Sequence, residues 1–179
     1  MNEQPYSSSQ KQLPKYISKE EILNILDKAK KDRYRNYILL LTLWRTGMRV
    51  SEVVELKKLD INDGTIIVRD SKHHKDRVIP LEQELSNLLG LFSDNMKPRD
   101  VLFKLSARQV RNIVYKYSPK DLNVHPHTFR HSFAVHCLKN GMNIRSLQKI
   151  LGHSSLTTTQ VYLDLVGEDI KNDFGKVEW

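Results

Sequence analysis

The sequence predicts a mainly α-helical domain with one small antiparallel β-sheet. Apolar residues recur every three or four positions along most of the chain, the spacing of helices that bury one face. A central stretch departs from this spacing, because it is β-branched and contains a turn signal. Hydrophobic residues make up 39% of the 179 positions, enough for a packed core. We therefore expect a folded domain rather than a disordered chain.

Capping and turn signals divide the first part of the chain into helices. Ser18 and Glu21 have the spacing of a capping box, and Gly47 is a helix stop signal. Arg49 and Glu52, three positions apart, are expected on one side of a short helix. The predicted helices are Lys19–Lys31, Tyr34–Thr46 and Met48–Leu56. Residues 1–15 are rich in Ser, Gln, Lys and Pro and are predicted to be a flexible tail or linker remnant before a single domain, 16–179.

The central stretch Leu59–Leu81 is predicted to form the sheet. An Asp-Gly turn precedes the β-branched run Thr65–Val68, and Arg77–Leu81 is a second extended run. The polar connection between these runs holds Lys72 and Lys75. The helical spacing then returns. The helices predicted after the sheet are Glu82–Phe92, Ser106–Tyr117, Thr128–Asn140, Ile144–Leu151, Leu156–Leu163 and Gly167–Phe174.

Charge and cysteine content narrow the class of protein. Lys and Arg number 29 against 21 Asp and Glu, so the formal charge is +8, which favours nucleic acid as a partner although a solvated basic surface also fits. The single cysteine, Cys137, excludes an intramolecular disulfide and a Cys-x-x-Cys metal pair. The longest apolar stretch, Tyr37–Trp44, is far short of the roughly 20 residues that cross a bilayer, and no signal peptide is evident. No membrane association and a cytoplasmic location are expected.

Five motifs follow one another along the chain. They are Thr46–Glu52, the basic hairpin around Lys72, His127–His131, Leu151–His153 and Tyr162. In order and spacing they resemble the catalytic domain of the tyrosine recombinases, the lambda-integrase and Xer family, over roughly residues 16–165. The resemblance implies the tyrosine recombinase (DNA breaking-rejoining enzyme) catalytic fold. It also implies that the chain cuts and rejoins DNA strands by transesterification through a 3′-phosphotyrosyl intermediate, with no cofactor or metal.

The resemblance gives each motif a role in this chemistry. The implied catalytic residues are Arg49, Lys72, His127, Arg130, His153 and Tyr162. Two arginines suit the non-bridging oxygens of a phosphate, because a guanidinium can give two parallel N–H donors. By resemblance, Tyr162 is the nucleophile, His127 assists removal of its proton, His153 donates to the phosphate, and Glu52 orients the site. Lys75 and Arg77 are expected to contact DNA.

The hairpin register leaves one assignment open. The family often has Gly-Lys-Gly-x-Lys here, whereas this chain has Ser71–Lys75 without the glycines. The following Arg77–Leu81 aligns Lys72 with the general-acid lysine of the family, and Lys75 is the alternative.

The same residues also fit other interpretations. Arg49 with Glu52 also fits a surface helix pair, and a lone Tyr is usually a core residue. His127, His131 and His136, on one predicted helix, also fit a metal site, but His127 and His131 lack the acidic partner of an H-E-x-x-H motif. His131 and His136 are expected to be structural. At the level of function, the alternatives are DNA relaxation like that of type IB topoisomerases and a non-catalytic DNA-binding regulator that retains the fold.

The family implies partners beyond the DNA duplex. Its members usually carry an N-terminal DNA-clamping domain of ~100 residues, for which 179 positions leave no room beside this one. The sequence is consistent with an excised catalytic fragment and with a minimal enzyme. The expected partners are double-stranded DNA and further protomers that assemble on it as a tetrameric synapse.

Overall fold

The chain folds into eight helices and a three-stranded sheet within the residues that the structure, a computed structural model, describes: 14–69, 76–153 and 157–166. The helices are α1 (Lys19–Asp32), α2 (Tyr34–Thr46), α3 (Val50–Glu55), α4 (Gln83–Ser93), α5 (Ala107–Tyr117), α6 (Pro126–Lys139), α7 (Ile144–Leu151) and α8 (Thr157–Val166). The strands are β1 (Ile61–Asn62), β2 (Thr65–Val68) and β3 (Arg77–Pro80). The predicted fold class, mainly α with a small antiparallel sheet, is confirmed.

Local signals account for several helix ends. The Ser18 hydroxyl accepts from the Glu21 N–H at 3.1 Å and the Glu21 carboxylate accepts from the Ser18 N–H at 2.7 Å, which completes the predicted capping box. Gly47 ends α2 in the left-handed conformation, with φ of 62°. Helix α6 begins at Pro126, two positions before the predicted start, because proline suits the first helical turn.

The sheet is an antiparallel meander in the order β1-β2-β3. Thr65 pairs with Pro80 and Val68 with Arg77, so β2 and β3 are the two sides of the predicted basic hairpin. Ile66, Val68 and Ile79 are buried on the face that meets the helices. Residues 70–75, which include Lys72 and Lys75, lie outside the described residues, as do residues 1–13 and the predicted helix Gly167–Phe174.

The core forms around α2. Ile38, Leu39, Leu40 and Leu43 of this helix are fully buried, and α1, α4 and α6 pack against it. Phe129 anchors α6 in the same core. Helix α6 also contacts α7 and α8, so the helices that carry the last three motifs adjoin one another. Within the described ranges, no helix is long and apolar enough to span a membrane.

Candidate active site

Arg130 lies at the centre of the candidate site as a buried cation. Its Nη1 donates to the carbonyl of Gly47 and its Nη2 to the carbonyl of Leu151, both at 2.7 Å. These carbonyls lie at the C-terminal ends of α2 and α7, where the helix dipoles favour a positive charge. The two carbonyls fix the position of the Arg130 side chain. Among the described residues no carboxylate forms an ion pair with it, so these contacts leave its positive charge available.

The electrostatics of Arg130 reflect this burial. Loss of hydration and then the charge of Arg49 lower its pKa from 12.5 to about 10, and Glu52 and Tyr162 oppose the shift. Arg130 therefore remains a cation at neutral pH. A buried cation with neutral contacts attracts an anion.

Arg49 supplies a second guanidinium beside the first. It caps α3, and its side chain is 39% exposed. Its Nη1 donates to Glu52 Oε1 at 2.9 Å, and its backbone N–H donates to Glu52 Oε2 at 2.7 Å. Burial alone would raise the pKa of Glu52, but hydrogen bonds and charge from Arg77, followed by those from Arg49, hold that pKa below its ordinary 4.5. Glu52 is thus an ionised carboxylate that holds Arg49 at the edge of the site.

His153 follows the end of α7 and faces Arg130. Gly152 turns the chain with φ of 66°, and His153 Nε2 lies 2.9 Å from Arg130 Nη2. Because a guanidinium only donates, Nε2 accepts here and Nδ1 carries the proton, which it donates to Thr159 Oγ1 at 2.9 Å. Burial and then the charges of Arg130, Arg49 and Arg77 lower the pKa of His153 to about 4. The imidazole is neutral in the DNA-free protein.

Tyr162, on α8, is 2% exposed. Its hydroxyl lies 2.8 Å from His131 Nδ1, and the two rings are 5.7 Å apart. Burial raises the pKa of the phenol, while the charges of Arg130 and Arg49 lower it in part. His131, expected to be structural, lies against the proposed nucleophile. Its pKa falls to about 4 through burial and then the charges of His127 and Arg130, so this imidazole is also neutral.

A cleft of about 370 Å³ opens beside these residues. Arg49, His127, Arg111, Tyr115 and His125 contribute to its walls. Partial burial lowers the pKa of His127, and the charges of Arg130, Arg49 and Arg111 lower it further. The His127 imidazole is therefore close to the arginines of the site. The cleft is open and basic, as an anionic ligand requires.

The structure brings together five of the six predicted catalytic residues, the sixth being Lys72 in the hairpin outside the described residues. Lys75 lies in the same hairpin. Arg77, expected to contact DNA, instead directs its guanidinium inward and pairs with Glu52 at 2.8 and 2.9 Å. Sequence reasoning did not identify the contacts of His131 and Thr159, because each joins two segments that only the fold brings together. No group of three or more His, Cys, Asp or Glu with metal-binding geometry occurs in the described part of the chain.

Comparison with known proteins identifies the family of this chain. The model of the phage integrase family matches residues 15–168. The chain belongs to this family. The chain is 39% identical over 174 residues to tyrosine recombinase XerA of Pyrococcus furiosus, an alignment that covers 90% of this chain and 61% of the relative. The predicted resemblance to the tyrosine recombinases is confirmed.

Two solved structures place this integrase-family chain among catalytic domains. The crystal structure of XerA recombinase superposes with a TM-score of 0.79 and 29% identity, over 93% of this chain and 67% of that one. The catalytic domain of bacteriophage HP1 integrase gives a TM-score of 0.67 and 28% identity, over 88% of this chain and 94% of that domain. The chain thus spans about three fifths of the length of the curated XerA relative but corresponds to nearly the whole HP1 catalytic domain.

Proposed function

We propose that this chain is the catalytic domain of a site-specific DNA recombinase that cuts and rejoins DNA through a 3′-phosphotyrosyl intermediate. The observation that carries the proposal is the buried Arg130 cation with carbonyl and imidazole partners, next to Arg49, His153 and Tyr162. A phosphodiester is an anion that fits this cation, and its two non-bridging oxygens suit two guanidinium groups. A tyrosine is the nucleophile that such a site needs to form a covalent bond with DNA.

The proposed reaction is a transesterification in which each of these groups has one task. The Tyr162 oxygen attacks phosphorus, the bond to the 5′ oxygen breaks, and the phosphate remains joined to the tyrosine. The phenolic proton leaves toward an imidazole, for which His127 is the residue implied by the family. The 5′ oxygen takes a proton from Lys72, with Lys75 as the alternative donor. Attack by a 5′ hydroxyl on the phosphotyrosine reverses these steps, so bond energy is conserved and no cofactor enters the balance.

The contacts of Tyr162 and His153 have to change before this step. Tyr162 is buried against His131, and His153 accepts from Arg130 instead of donating. When a phosphate binds, its negative charge raises the pKa of His153 and favours a proton on Nε2. His153 can then donate to a non-bridging oxygen while Arg130 turns a donor to the other.

A nicked suicide substrate tests the proposal directly. Cleavage beside the nick releases a short fragment that carries the 5′ hydroxyl. Once this fragment diffuses away, the strand cannot be rejoined, and denaturing gels detect the trapped covalent adduct. The parent chain is expected to form the adduct in excess EDTA, because arginine, lysine and histidine side chains provide the positive charge. Tyr162→Phe is expected to bind the DNA and form no adduct, and Tyr34→Phe, on the exposed start of α2, is the matched control.

Three results would contradict the assignment. An adduct with Tyr162→Phe would show that the nucleophile lies elsewhere, with Tyr115 and Tyr117 the next residues to test. Loss of cleavage with EDTA and its restoration by Mg²⁺ would contradict metal-free chemistry. Supercoil relaxation without recombinant product would favour activity like that of type IB topoisomerases.

We propose further that protomers of this chain assemble on double-stranded DNA into a tetrameric synapse in the cytoplasm. Such assembly depends on DNA, so the free chain is expected to be monomeric in light scattering. The segment Val166–Trp179, expected to dock on a neighbouring protomer, lies almost entirely outside the described residues. A stable tetramer without DNA would contradict this part of the proposal.

A further inference from the structure

Arg77 joins three segments of the candidate site through one side chain. Its Nη1 and Nη2 donate to the two oxygens of Glu52 at 2.9 and 2.8 Å, and its Nε donates to the carbonyl of Ile150 at 2.7 Å. Each of Arg77 and Glu52 has a side chain that is 12% exposed. The guanidinium therefore uses donors on all three of its nitrogens inside the protein.

Each segment that Arg77 joins carries a group of the proposed reaction. Glu52 holds both the backbone N–H and the guanidinium of Arg49. Ile150 lies in the last turn of α7, two positions before the bend at Gly152 that presents His153. Arg77 itself is the first residue of β3, which directly follows the hairpin of Lys72.

The packing around Gly152 shows how closely this arrangement fits. A Cβ placed on Gly152 would lie 3.0 Å from Arg77 Cδ and 3.0 Å from Arg77 Nη1. Only a residue without a side chain lets the guanidinium lie against the turn before His153, and the φ of 66° at Gly152 also favours glycine.

We propose that Arg77 is a positioning residue that fixes Arg49 and His153 relative to one another. This inference rests on the proposed function, and it replaces the expectation that Arg77 contacts DNA. A planar fork with two parallel hydrogen bonds is rigid, whereas a lysine ammonium gives one point contact to the carboxylate. The identity of the residue as arginine is thus part of the proposal.

The test compares substitutions at the two ends of the same hairpin. Arg77→Lys keeps the charge beside Glu52, and Arg77→Met removes it. Arg69→Met is the matched control, because Arg69 directly follows β2, pairs with Asp60 and has a side chain that is 55% exposed. The measurements are the single-turnover cleavage rate at saturating DNA, the Kd for DNA across a salt series, and thermal unfolding of each variant.

Positioning predicts a loss in rate rather than in affinity. Arg77→Met is expected to cleave roughly 10- to 100-fold more slowly at saturating DNA, with a salt dependence of binding like that of the parent. The cleavage rate of Arg77→Lys is expected to lie between that of the parent and that of Arg77→Met. Arg69→Met is expected to keep the parental rate. A parental rate for Arg77→Met, together with a salt slope reduced by about one, would overturn the inference in favour of a phosphate contact.

A double-mutant cycle with Glu52→Gln separates positioning from lost stability. If Arg77 acts through Glu52, then Arg77→Met costs much less rate in the Glu52→Gln background than in the parent. The double variant also removes the carboxylate that Arg77→Met would leave buried without its partner. Losses in rate that simply multiply would contradict the inference.

An NMR measurement without DNA keeps this test independent of cleavage. The ring signals of His153 are expected to shift in both Arg77 variants. Its pKa is expected to rise in Arg77→Met, which removes a positive charge that lowers that pKa. The signals and the pKa should stay unchanged in Arg69→Met. If the parent formed no covalent adduct while these shifts appeared, the positioning role would stand and the recombinase proposal would fail. Unchanged His153 signals in Arg77→Met would overturn the positioning role whatever the cleavage result.

Discussion

Gly47 connects the core to the buried cation Arg130. Its carbonyl accepts from Arg130 Nη1, its φ is 62°, and a Cβ on it would lie 2.5 Å from Phe133 Cδ1. Gly47→Ala is expected to lower the free energy of unfolding by about 1 kcal/mol for the positive φ and by a further 1–3 kcal/mol or so for overpacking. Chemical denaturation measures this loss. Gly141→Ala is the matched control, because Gly141 has φ of 82° with no atom within 4 Å of its Cβ position. Equal losses in the two variants would contradict the packing contribution.

The buried histidines make stability depend on pH. His131 and His153 titrate near 4 in the folded protein against an ordinary 6.5, so below 6.5 the unfolded chain binds more protons than the folded one. Their contribution to stability is complete above pH 6.5 and is lost as pH falls toward 4. Urea unfolding across this window is expected to show the decline, and a smaller one in His131→Gln. A parental slope in that variant would contradict the burial of His131 as a neutral base.

The hairpin between β2 and β3 carries the proposed general acid. A 5′-bridging sulfur leaves as a thiolate and needs no proton, so a substrate with that sulfur bypasses the acid. Lys72→Ala is expected to be severely slowed on normal DNA and largely rescued on the sulfur substrate. Arg130→Ala should gain much less, because its proposed task is to stabilise the non-bridging oxygens. Rescue of Lys75→Ala in place of Lys72→Ala would move the acid to Lys75.

At the scale of elements, local signals predicted most boundaries. Helices α2 and α7 have the predicted limits, since Gly47 and Gly152 end them in the left-handed conformation. Helix α3 is shorter than predicted because Arg49 adopts an extended backbone as its cap. A 3₁₀ turn at Lys58–Asp60 overlaps the start of the predicted sheet segment, and the two-residue strand β1 follows it.

Side-chain partners were beyond such local reasoning. The bond from Arg130 to Gly47 joins positions 83 apart, and the bond between His131 and Tyr162 joins positions 31 apart. Motif order indicated that Arg49, Arg130, His153 and Tyr162 belong to one site. Periodicity reports which face of a helix is buried, and it carries no information on which residue of another element that face meets. For that reason the inward turn of Arg77 and the contact of His131 emerged only from the fold.

For the whole molecule, the surplus of positive charge determines how DNA binding responds to salt. The formal charge of +8 and the basic cleft indicate that phosphate contacts dominate, and each contact releases counterions from DNA. The logarithm of the binding constant is therefore expected to fall linearly with the logarithm of salt concentration. Arg111→Gln, in the cleft beside Arg49, should lower the steepness of that slope by about one. Lys31→Gln is the control, since Lys31 is already paired with Asp27 on α1, and it should keep the parental slope. Salt-independent binding by the parent, or equal slopes in Arg111→Gln and the parent, would show that contacts other than cleft phosphates hold the DNA.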